Sequence, residues 1–370
     1  QRRSQPAWRV SHFNLHVTVA TFWITVALLI GAARFGWTDW ALTNKYLGWY
    51  VLMAYGATGA LITASMPRDG MRLLLTTFVA AGFAIVSLEL LLVSLRSAGL
   101  RLSIDVLWYN ATGFAANRNA FAFQLIMVTA AACALNLRPR LFTAILASAL
   151  AALWFAGSRA GWGTMVLLFG MAIWCGALTP RRAVGAILAA TALIVTIEHV
   201  WVVRWIFSWL LDPSGSLQFS SLRPEIPIRP NLSLYEDSTM AERLRSYVGA
   251  SELFVQNPLF GAGLGAHVER ALRAAGTPLV IHSTPLWIAA EMGLVGLVIL
   301  AVPILRIFRA EIGRARHDPT ARLLVLAIAG FAAMSLVHEM LYQRTFWLLL
   351  GAGLAWLAAA DRHSPVSEPP

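Results

Sequence analysis

Apolar blocks about 20 residues long recur along most of this chain, and that is the length needed to cross the hydrocarbon core of a bilayer. Ten are read, at 13–33, 46–65, 73–95, 119–137, 141–156, 161–178, 183–203, 283–305, 323–341 and 345–360. They leave little with which to build a water-facing surface: 13% of the 370 residues are charged and 58% are hydrophobic, against about 25% charged in a soluble domain. The 15 Trp suit the aromatic belts at membrane interfaces. The fold class expected is all-α, a polytopic transmembrane helix bundle.

The arginines assign the sides. Arg2, Arg3 and Arg9, then Arg68 and Arg72, Arg138 and Arg140, Arg181 and Arg182, Arg306 to Arg322, and Arg362 crowd into short alternate connections, which read as cytoplasmic by the positive-inside rule. The net charge of +11 is thereby accounted for, and no nucleic acid is implied. Both termini lie inside, and the long connection 204–281 faces out. The expected division is 1–203 for seven transmembrane helices, 204–281 for a large outer loop, 282–362 for three more, and 363–370 for a cytoplasmic tail. The chain opens on Gln1, and a missing amino-terminal portion is expected.

The outer loop is partly helical. Leu222 to Pro230 is Pro-rich and reads as extended coil. From Ser238 to Gln256, Leu244, Tyr247, Val248, Leu253 and Phe254 recur at helical spacing, with Asp237 or Ser238 as the cap and Glu242 in the first turn. A Gly-rich turn, Asn257 to Gly265, precedes a second short helix at about 266–275. Asn110 and Asn231 stand in glycosylation-type tripeptides, a pattern common by chance. Cys133 and Cys175 fall in apolar blocks and imply neither a disulfide framework nor a metal site.

Three outward helix starts carry the candidate chemistry: Asn117-Arg118-Asn119, Ser158-Arg159 and His282-Ser283. A helix start offers unpaired N–H groups and a positive dipole end, and arginine binds diphosphate through bidentate hydrogen bonds. A histidine there is disfavoured as imidazolium and is available as a neutral base near neutral pH. Simpler alternatives stand beside each. Arg159 can snorkel to the interface, Asn117 can be an ordinary cap beside Arg118, His282 can pack under the loop, and Arg243 and Arg245 can form a solvated helix face. Glu89, Glu198, His199, Glu291, His338 and Glu339 are scattered over several spans and read as interhelical hydrogen-bond partners; a proton relay, and with it a transporter, stays open. No Asp-x-Asp or ligand-spaced His/Asp cluster points to a metal.

These residues resemble a family, the O-antigen ligases and polymerases of bacterial envelope polysaccharide assembly. His282-Ser283, nine further residues and Gly293-Leu-Val-Gly296 match the ligase pattern. Glu242-Arg243-Leu with Tyr247, Asn257-Pro-Leu-Phe-Gly-Ala-Gly263 and Ser158-Arg159 resemble its other motifs, so that the likeness runs over roughly 110–300. The resemblance implies a glycosyltransferase of the GT-C type, with twelve spans in the full chain, in the inner membrane of a Gram-negative bacterium. It implies a donor glycan on undecaprenyl diphosphate, a lipid A-core acceptor at the periplasmic face, a metal-independent inverting transfer and no cofactor. His282 is then the general base, Arg159 and Arg243 bind the diphosphate, Arg245 and Arg118 are further candidates, and Ser158, Asn117 and Tyr247 support them. A polymerase or protein O-oligosaccharyltransferase of the same superfamily is the alternative; a lipid or solute transporter is the alternative of another class.

Overall fold

The computed structural model describes residues 7–66, 69–97, 111–115, 117–211 and 238–362. The Pro-rich stretch 222–230, Asn110, Asn231, Asp237, Arg2, Arg3 and Arg68 lie outside them. The described residues are helical: α1 (Ala7–Phe35), a π-helical segment (Trp40–Leu47) continuing into α2 (Gly48–Ser65), α3 (Gly70–Ser97), a 3-10 turn (Gly113–Ala115), α4 (Arg118–Ala134), α5 (Pro139–Ala156), α6 (Arg159–Trp174), α7 (Pro180–Leu211), α8 (Ser238–Gln256), α9 (Ala266–Ala275), α10 (Thr284–Glu311), α11 (Pro319–Ser335) and α12 (Arg344–Arg362). All ten apolar blocks fall on helices. Six segments are long and apolar enough to cross a membrane, and α4, α11 and most of α12 are shorter apolar helices. This is a multi-pass membrane protein.

Several ends differ from the sequence expectation, each for a local reason. The seventh helix runs to Leu211 rather than 203, because nothing between Trp205 and Leu211 breaks it before Pro213. The helix expected at 323–341 is shifted to Pro319–Ser335. Its start is fixed by Asp318, whose side chain accepts from the N–H groups of Thr320 and Ala321 at 2.8 and 3.2 Å, the usual N-cap arrangement. Helices α8 and α9 occupy the two stretches where the loop was expected to be helical. Because α8 begins at Ser238, Glu242 falls beyond its first turn.

The chain divides into two compact units, Gln1–Leu74 with Ser233–Pro370, and Leu75–Leu232. In the first, α2 and α12 approach at backbone distance. A Cβ on Gly59 would overlap the carbonyl of Leu348, and one on Gly351 would overlap that of Gly56, the close contact that small residues allow between membrane helices. In the second, α5 packs on α4 and α7, and α4 on α6. The indole of Trp154 on α5 donates to Glu198 on α7 at 2.9 Å, so Glu198 is the interhelical partner its position suggested.

The helix α10 is broken at Gly293 (φ 68°, ψ −172°), a backbone region essentially open only to glycine. A break inside a membrane helix must have its backbone groups satisfied by protein, and here the Gly-rich turn does this. The carbonyls of Ala290 and Glu291 accept from Ala262 and Gly263 at 2.9 and 3.0 Å, while the N–H groups of Leu294 and Val295 donate to Pro258 and Leu259 at 2.8 and 3.2 Å. The indole of Trp23 donates to Met292 at 3.1 Å, and Leu264 N–H bonds Ala27 of α1 at 2.9 Å. A Cβ on Gly261 or Gly293 would drive into the opposing backbone. The turn is therefore an interlock between α1, α10 and the segment after α8.

Candidate functional site

His282 lies two residues before α10, outside the helix that Ser283 begins. Its segment is pinned to α8 by two hydroxyls: Ser246 donates to Val280 O and Tyr247 to His282 O, both at 2.9 Å. On its other side is the turn after α11. Thr284 holds that turn, its N–H and hydroxyl donating to His338 O at 3.3 and 3.0 Å while the hydroxyl accepts from Met340 N–H at 2.7 Å. This latch is why α11 stops at Ser335, and it sets the His338 ring edge-on to His282 with centroids 6.4 Å apart.

His282 is half-buried, and burial holds its imidazole below the ordinary value, with the Arg243 guanidinium adding to the effect and Glu339 and Glu242 opposing it. The neutrality expected of this histidine thus has burial as its first cause. Arg243 is partly buried, and its Nε is shielded from solvent without a hydrogen-bond partner among the described residues. Arg245 is not gathered with it: exposed, it donates to Ala241 O of its own helix at 3.4 Å. The inner face of α8 is Ser246, Ala250 and Leu253, whereas Leu244 and Val248, expected on that face, are 64% and 51% exposed.

The remaining predicted residues belong to the other unit. Ser158 caps α6, its hydroxyl accepting from Gly161 N–H at 3.2 Å and donating to Asn119 Oδ1 of α4 at 2.8 Å. Asn117 caps α4, accepting from Asn119 and Ala120 N–H at 2.8 and 3.3 Å. Arg118 and Arg159 are the first residues of these two helices, so one hydrogen bond ties two arginine-bearing helix starts together.

Sequence reasoning missed a buried cluster behind His282. Lys45 is 3% exposed and pairs with Glu339. Its ammonium stands over the rings of Trp287 and Tyr342, 4.4 and 5.0 Å from their centroids, and Tyr342 donates to Lys45 O at 2.9 Å. The available signal was that Lys45 is the only lysine among 29 basic residues. Glu291 also finds a structural task. It accepts from Trp287 Nε1 at 2.8 Å and from Gly265 and His267 N–H at 2.9 and 3.3 Å, capping α9 where Gly265 has no side chain to do so. The His267 imidazole, 4% exposed, is pushed down to about 4 by burial and then by Arg270.

With this geometry in place, one comparison bears on the family. Residues 142–301 match the model of Wzy_C, O-antigen ligase. No curated protein matches the chain. The match supports the O-antigen ligase superfamily and, broadly, a glycosyltransferase-like enzyme. It runs from α5 into α10 and includes Ser158, Arg159, Arg243, Arg245, Tyr247 and His282, but neither Asn117 nor Arg118. Both glycines of the Gly293-Leu-Val-Gly296 motif have packing roles: Gly293 makes the break in α10, and Gly296 leaves room for the Trp23 indole. The break resembles the discontinuous helices of transporters, but its backbone groups are bonded to residues 258–263 and to Trp23.

Proposed function

We propose that the protein is an O-antigen ligase of the GT-C type, crossing a Gram-negative inner membrane ten times in this chain with both termini in the cytoplasm. It moves a glycan from undecaprenyl diphosphate to lipid A-core at the periplasmic face. The observation that carries this reading is His282, whose burial favours the neutral imidazole, beside an Arg243 whose Nε has no hydrogen-bond partner among the described residues, both inside the family match. In the proposed step the acceptor hydroxyl gives its proton to His282 as its oxygen bonds the anomeric carbon. The bond from that carbon to the diphosphate breaks with inversion, and the diphosphate leaves with the electron pair. Arg243 stabilises the charge that develops there, where a fixed cation contributes most. The motif resemblance gives Arg159 the same task; Arg118, outside the matched segment, is the weaker candidate, and Arg245, bonded to its own helix, weaker still.

Reconstitution tests the reading. The full chain in liposomes, given undecaprenyl diphosphate glycan, is offered lipid A-core, a second lipid-linked glycan or a Ser/Thr-bearing protein in separate reactions. Product on lipid A-core is expected. Product only on the second glycan makes it a polymerase, product only on protein makes it an oligosaccharyltransferase, and failure with all three removes the glycosyl-transfer reading.

A further inference from the structure

The buried cluster around Lys45 has no part in the step just described. A lysine at 3% exposure in a membrane protein is costly unless paired, and this one is held on several sides. Its ammonium pairs with Glu339 and lies over Trp287, Tyr342 and, at 5.4 Å, Trp40. The main chain at Lys45 is gripped as well, by the Tyr342 hydroxyl. Glu339 sits in the turn that Thr284 latches to the start of α10, two residues beyond His282. The lysine, the glutamate and the base are thus joined by short rigid connections within one compact unit.

We propose that Lys45 and Glu339 are a positioning pair for His282: the lysine fixes the glutamate, and the glutamate balances the positive charge that His282 acquires when it takes a proton. The proposal rests on His282 being the base of the reaction above. Among the described residues, the charged and titratable groups around His282 are Arg243, Glu242 and Tyr247 from α8 and His338 and Glu339 from the latched turn. Arg243 serves the leaving group but opposes protonation of the base, and Glu339 offsets it. Without that offset, a base buried beside an arginine accepts a proton poorly. Lys45 and Glu339 touch neither the donor nor the acceptor in this account; they act through His282.

The test reads His282 directly. Diethyl pyrocarbonate modifies neutral imidazole, and peptide mapping by mass spectrometry follows His282 alone in the purified full chain as pH is varied. In Glu339→Gln the half-point of modification should move to lower pH by about 0.5–1 unit, the scale of one neighbouring charge. Lys45→Met should move it in the same direction, since the lysine no longer holds the glutamate in place. Reconstituted Glu339→Gln should lose about tenfold in kcat, a fraction of what a general base supplies, with donor KM within about twofold. If Glu339→Gln alone does not fold, Lys45→Met/Glu339→Gln carries the measurement, because removing both partners strands neither charge. An unmoved half-point overturns the proposal, even where kcat falls. The half-point is measured without turnover, so it stands apart from the glycosyl-transfer reading, which fails instead if His282→Ala transfers normally.

Discussion

The start of α10 after His282 and the start of α6 at Arg159 are both helix heads in the family-matched segment, yet they are held in different ways. Around α10 the backbone does the holding. Residues 258–263 hydrogen-bond to the break at Gly293, and Thr284 clamps the turn at His338. At α6 and α4 the side chains do it, through the Ser158 and Asn117 caps and the bond from Ser158 to Asn119. A backbone interlock tolerates few substitutions, whereas a cap is one interaction of modest size. The comparison teaches that in the first unit the residues that hold the fold differ from those proposed for the chemistry, and that at the α6 head the two are adjacent.

The largest expected effect separates the two at α10. His282→Ala should lower transfer on the order of 10²–10⁴-fold, the usual contribution of general acid–base catalysis, with normal yield and thermal midpoint in detergent. In the parent, activity should hold as pH drops to the ordinary histidine value and fall only below it, because burial keeps His282 neutral further into acid. A variant with parental transfer would remove chemistry from this head. Next comes Gly293→Ala, which should cost about 3 kcal/mol or more, since alanine is strained at that backbone conformation and its Cβ would meet Leu259 and Gly261. Loss of monodisperse protein on size-exclusion chromatography is the readout, and a well-behaved, stable variant would mean that the interlock is dispensable.

His267 gives the first unit an acid sensitivity of its own. Its folded value, about 4, lies below the ordinary 6.5. Below 6.5 the unfolded chain therefore binds a proton that the folded chain does not, and stability is lost as pH falls from 6.5 toward 4. The loss is on the order of 3 kcal/mol if the whole shift is expressed. Thermal midpoints of the parent and His267→Gln, taken from pH 7 to pH 4, should converge as pH falls; parallel curves would refute the assignment. The smallest effects belong to the side-chain-held heads. Ser158→Ala should cost about 1–2 kcal/mol and Asn117→Ala about 1 kcal/mol, with Ser158→Ala also reducing transfer because Arg159 follows it. Equal loss of transfer from both would place Arg118 on the same footing as Arg159.

Much of the fold was legible because hydrophobic periodicity and capping act locally. The stretches for α8 and α9 were readable from spacing and from the glycines around them, and Asn117 is the cap that its residue type suggested. What was not legible depends on contacts distant in sequence. The end of α11 is set by a bond to Thr284, the face of α8 by the packing of Ser246 and Ala250, and the partner of Glu291 by the start of α9. Lys45 was visible as a lone lysine, but nothing near it in the chain names Glu339. The two candidate arginines Arg243 and Arg245 look equivalent as letters; the helical turn puts Arg243 by His282 and leaves Arg245 outside.

The pairing of Lys45 with Glu339 spans 294 residues of sequence. A ribosome adding about 5–20 residues per second needs roughly 15–60 s to make that stretch. During that interval the nascent chain holds an ammonium group beside its second apolar helix before its partner Glu339 has been made. The pairing seen in the folded protein can form only after the turn that carries Glu339 has emerged. Assembly of this unit is therefore timed by translation of its last part.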